Sequence, residues 1–81
     1  MLIEVRDKKW AIEYERPGSN NFDSLVAKKE AIEKAGAFPL FVCQHSNLEF
    51  VGEAVGMENV VPRGVELVEK LNEIVSELSN L

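Results

Sequence analysis

Glu13 and Glu15 stand two residues apart in the run Trp10-Ala11-Ile12-Glu13-Tyr14-Glu15. On an extended strand, side chains at that spacing leave the same face roughly 6–7 Å apart at the backbone. Two such carboxylates can lean toward one divalent cation. Mg²⁺ or Mn²⁺ suits them, because these ions take oxygen ligands and keep several waters, so one or two carboxylates suffice. An ion held there could activate a water and neutralise charge developing on a phosphodiester. Lys28 and Lys29 lie on the next helical segment and could reach the same end of a sheet. Glu13, Glu15, Lys28 and Lys29 are thus the candidate catalytic residues, with Glu13 and Glu15 the candidate metal ligands. The plain alternative is a solvated strand face, which short acidic motifs often mark.

Other residues carry weaker chemistry. Cys43 closes an apolar run with His45 two positions on, leaving a thiol–imidazole pair open, although no orienting third group is in view. A small buried hydrophobe is the competing reading of Cys43. Gln44 and His45 follow the same run, where α/β sheets tend to form sites. Trp10 and Tyr14 share a strand face and could stack bases, or serve as core anchors in a domain that needs its large aromatics inside. The glycines at 18, 36, 52, 56 and 64 have no phosphate-cradling spacing.

These residues need elements to hold them. Residues 2–6 and 9–16 read as strands about an Asp7-Lys8 turn, with Trp10, Ile12 and Tyr14 on one face and Ala11, Glu13 and Glu15 on the other. The loop 17–21 stops the second strand. A helix follows over about 22–35, capped by Asn20 or Asn21, carrying an apolar stripe of Phe22, Leu25, Val26, Ile32 and Ala35, and ended by Gly36. Lys28 and Lys29 fall largely off that stripe. The apolar run 38–43 suits a strand covered on both faces, with Pro39 near its start. Ser46 and Glu49 have capping-box spacing and predict a short helix closed by Gly56. A short edge strand at 59–62 leads to a helix over about 64–80.

The order is β-β-α-β-α-β-α: a single α/β domain over 1–81 with a mixed four-stranded sheet. The second and third strands should be parallel, joined by a right-handed helical crossover. In the last helix Leu67, Leu71, Ile74, Leu78 and Leu81 recur at 4-3-4-3 spacing, a heptad-like seam with Val68 and Val75 beside it. One stripe must cover the sheet. A flanking edge could serve self-association, so a homo-oligomer is expected.

Strand, tight turn, a strand ending Ile12-Glu13-Tyr14-Glu15, a Pro/Gly/Asn loop, a lysine-bearing helix and the apolar strand Leu40-Phe41-Val42 follow in that order. The order resembles the core of the PD-(D/E)XK, or restriction-endonuclease-like, nuclease superfamily in a reduced or degenerate form. In that family the second strand carries an acid, any residue, then usually Lys. Across residues 2–43 the resemblance implies metal-dependent phosphodiester cleavage, with Glu13 at the acidic position and Glu15 at the usual Lys position. Lys28 or Lys29 would then supply the amine from the helix, as some members arrange it. The family's Asp on the preceding strand has no clear counterpart, since Glu4 lies in the first strand and Asp7 in the turn.

Charge and composition bound these readings. The chain has 81 residues, 46% of them hydrophobic and 28% charged, which excludes disorder by weak hydrophobicity. One Cys and one His exclude a disulfide framework and a self-contained structural zinc site. Residues 1–34 balance seven bases with seven acids, whereas 35–81 hold two bases against seven acids. Any nucleic acid would therefore meet the N-terminal half. With no run of about 18 apolar residues, no membrane span is expected. With no charged leader, no signal peptide is expected either, and the setting reads as cytoplasmic. The leading expectation is a nucleic-acid-associated protein resembling a minimal or degenerate metal-dependent nuclease. The alternative is a noncatalytic protein-interaction module or small homo-oligomeric domain.

Overall fold

A computed structural model gives the architecture and describes residues 1–5, 7–16 and 21–79. Most of the loop expected at 17–21 and the seam residue Leu81 lie outside the described residues. The strands β1 (Leu2–Val5) and β2 (Lys8–Tyr14) form the hairpin, with Leu2 opposite Ala11 and Ile3 opposite Trp10. Its ladder extends to Met1, whose amine donates to the Ile12 carbonyl at 2.7 Å and whose carbonyl accepts from the Ile12 N–H at 2.6 Å.

Helix α1 (Phe22–Lys34) starts where Asn21 Oδ1 accepts from the Ser24 N–H at 2.8 Å. That bond satisfies one of the orphan donors of the first turn. The helix stops at Gly36, whose φ of 82° lies in the left-handed region that a side chain disfavours. Strand β3 (Phe38–Cys43) then runs parallel to β2, with Ile12 opposite Leu40 and Tyr14 opposite Val42. Strand β4 (Val60–Pro62) pairs parallel to β3 on its other side. The sheet order is β1-β2-β3-β4, a mixed four-stranded sheet, and the element order is the expected one.

The capping-box expectation needs correcting. Helix α2 (Leu48–Val55) is preceded by a 3₁₀ turn over His45–Asn47, and no side-chain cap bond forms. The Asn47 N–H donates to Gln44 O at 2.9 Å and the Leu48 N–H to His45 O, so backbone carbonyls, and not Ser46, take the donors at the start of this turn.

Period-two alternation splits the core between the two sheet faces. On one, Ile12, Leu40, Val42 and Val61 pack with Ile74 of α3 (Val65–Ser79), flanked by Ile3, Trp10, Leu67 and Leu71. On the other, Phe41 and Cys43 pack with Leu25 of α1 and with Val51 and Val55 of α2. Strand β3 is thus covered on both faces, which is why it reads as unbroken apolar sequence. Tyr14, expected inside alongside Trp10, is 45% exposed. Helix α3 lies against β4, and its Leu67, Leu71 and Ile74 pack in the cluster that holds Trp10 and Ile12 on this face; Tyr14 is not part of that cluster.

Candidate functional site

The strand face that carries Ala11, Glu13 and Glu15 is the one covered by α1 and α2. Glu15 lies one residue past β2, yet its N–H still donates to Val42 O at 2.8 Å, so parallel pairing carries its side chain beside the end of β3. There it is 1% exposed. A carboxylate so deeply desolvated needs a cation or several donors. Lys28, on α1, provides one: its Nζ donates to Glu15 Oε1 at 3.0 Å and to Oε2 at 3.3 Å. The pair joins the end of β2 to the middle of the crossover helix.

Lys28 had a signal in the sequence. It lies three residues after Leu25 and four before Ile32, and Lys29 lies four after and three before. Both therefore fall on the stripe that faces the sheet, not off it, and the spacing does not choose between them. A lysine on that stripe can keep its amine charged only beside a buried acid or by snorkelling outward. The Lys28 ammonium does some of both, with the side chain 41% exposed.

The other candidates are arranged differently. Lys29 Nζ is 4.0 Å from Glu33 Oε1, an ordinary pair one turn along the same helix. Glu13 is half-buried opposite Phe41, and among the described residues it has no ion-pair partner. The structure therefore joins Glu15 to Lys28, while Lys29 and Glu13 remain outside that pair. Among the described residues, no three His, Cys, Asp or Glu side chains converge as a metal-binding group. A divalent cation fits the donor set poorly, because it would have to displace an ammonium from a carboxylate held inside the fold.

Cys43 is fully buried. Burial, and then the nearby Glu15 carboxylate, hold its thiol above the ordinary value. Both effects keep the sulfur protonated and unreactive. His45 faces elsewhere, with Nε2 3.7 Å from Glu66 Oε1 at the start of α3. The buried-hydrophobe reading of Cys43 fits this geometry, and the thiol–imidazole pair does not.

The last helix separates two rows that the sequence set side by side. Ile74 is 4% exposed, and with Leu67 and Leu71 it packs on the sheet. Val65, Val68 and Val75 stand 69%, 57% and 52% exposed. Leu67, Leu71 and Ile74 of the seam are spent on the core, and the valines are the row that meets solvent. The described helices include none long and apolar enough to cross a membrane. Comparison with family models, with curated proteins and with solved structures finds no match to this chain.

Proposed function

We propose that this chain is a noncatalytic protein-interaction module set in the cytoplasm. The observation that supports it is the doubled apolar character of α3: one stripe is buried on the sheet and a second, Val65, Val68 and Val75, faces water. Scattered exposed apolar residues are ordinary, but a row at helical spacing is the pattern of a groove-filling helix face. The Glu15–Lys28 ion pair agrees with this reading, since it gives the strand-end carboxylate a structural task.

A second reading keeps the restriction-endonuclease-like resemblance. One observation favours it: an amine from the crossover helix meets an acid at the carboxyl end of a parallel strand, as that family's relocated lysine would. On that reading the protein is nucleic-acid-associated, binds Mg²⁺ or Mn²⁺ through Glu13 and Glu15, and meets its substrate with the N-terminal half.

Calorimetric titration of Mn²⁺ separates the two. The interaction module is expected to give no saturable heat and no nicking of plasmid DNA. Saturable Mn²⁺ binding that Glu13→Ala abolishes would overturn the noncatalytic reading and restore the metal-dependent one.

A further inference from the structure

The exposed face of α3 fits one kind of partner, and naming it rests on the interaction-module reading above. At 3.6 residues per turn, Val68, Val75 and Val65 fall within an arc of about 80°, with Asn72 between them. Val65 and Val75 are ten positions apart, about 15 Å of helix. Glu69, Glu73 and Glu66 begin about 40° past Val65, on the side of the helix away from the sheet-facing stripe. All three acids are exposed. The valine row is therefore bounded by the domain core on one side and by a row of carboxylates on the other. Residues 35–81 as a whole hold seven acids against two bases, and the chain carries a net charge of −5.

Charge selects the occupant. A second copy would bring its own acidic row and its own net charge of −5 to the same seam. Like charges brought together oppose association and slow encounter. A helix with an apolar stripe flanked by lysines or arginines would bury the valines and set cations against Glu69 and Glu73. We infer that the exposed face of α3 docks a cationic amphipathic helix of a partner protein, with Val65, Val68 and Val75 as the apolar contacts and Glu69 and Glu73 as the charge-selecting rim. Recognition of this type reads apolar anchors at helical spacing and takes its specificity from flanking charge.

The test uses the full chain and a synthetic, end-blocked amphipathic helix with leucines on one stripe and lysines on the flanks. Its counterpart has glutamates in place of the lysines. Anisotropy titration at low salt is expected to show saturable binding of the lysine peptide and none of the glutamate peptide. The paired change Val68→Ser/Val75→Ser should weaken binding about tenfold, and Glu69→Lys/Glu73→Lys by at least about as much. The same charge reversal on α2, Glu49→Lys/Glu53→Lys, should leave binding within about twofold.

Unchanged binding by the serine pair, or equal loss from the two charge reversals, would mean diffuse electrostatic attraction and overturn the proposal. Should the serine pair fail to fold, the two charge reversals decide between the same outcomes. Sedimentation of the native chain as a dimer that the serine pair dissociates would replace the cationic partner with a second copy and leave the module reading standing. A monomer that binds neither peptide would overturn both.

Discussion

Lys28 helps a carboxylate with so little contact with water to persist in a small fold. Removing the ammonium takes from Glu15 the cation that holds both of its oxygens. Lys28→Met is therefore expected to destabilise the chain by about 2–3 kcal/mol, below the roughly 3–5 kcal/mol of a fully buried pair because the lysine is part-exposed. Urea denaturation measures this, and the double variant Glu15→Gln/Lys28→Met should lose less than the two single changes together. An unchanged midpoint for Lys28→Met would show that the pair does not stabilise the fold. Cys43 gives a pH prediction. Its thiol is held above the ordinary value in the folded chain, so on raising the pH the unfolded chain releases this proton first. Stability from this group is complete below the ordinary thiol value and falls as the pH climbs beyond it toward the folded value. Native protein should lose stability in alkaline solution more steeply than Cys43→Ala, and thiol labelling should be slow until denaturant is added. At this scale the residue types were legible in the sequence. Glu15 was identified as part of a site, but its partner was not fixed, because a choice among Glu13, Lys28 and Lys29 depends on distances across 13 residues of chain.

Helix α3 shows what element-level periodicity can and cannot say. Its apolar positions occupy more than one stripe, so the pattern alone does not choose which stripe meets the sheet. The structure turns Leu67, Leu71 and Ile74 inward. Substituting glutamate at Leu71 or Ile74 would thus attack the core and could not report on association. Ile74→Ala should cost about 2–4 kcal/mol by urea denaturation, as for a well-packed aliphatic side chain. Val68→Ser/Val75→Ser should stay within about 0.5 kcal/mol per site, as exposed substitutions do. A large loss from the serine pair would mean that these two side chains contribute to the packing of the fold. Helix α1 offers a simpler check: Asn21→Ala removes the cap acceptor and should cost about 1 kcal/mol. The Asn21 cap and the Gly36 stop were legible because each is a short-range backbone requirement. The start of α2 was not, since backbone carbonyls, and not Ser46, take the donors at the start of the 3₁₀ turn before it.

The whole molecule joins a mixed sheet to an uneven charge distribution. Its first 34 residues are balanced, and the acid excess lies in the half that contains α2, β4 and α3. Like charge at the α3 face opposes self-association, so the melting temperature should stay constant across about a hundredfold range of protein concentration, whereas an obligate dimer would melt higher when concentrated. A scanning melt at several concentrations checks this, and a rising midpoint would favour a second copy as the occupant of the valine row. The same melt with the lysine peptide present should shift upward by mass action.

What the sequence determined by itself was the order and type of the elements, the antiparallel hairpin, the parallel crossover and the buried third strand. Each follows from periodicity, turn chemistry or connection length within a short stretch of chain. Tertiary structure decided which acid Lys28 meets, that Tyr14 stays in water, and which of two apolar stripes on α3 faces out. Those outcomes depend on how helices are rotated and placed over the sheet. Rotation about a helix axis is set by the summed packing of distant residues, a quantity no local pattern encodes.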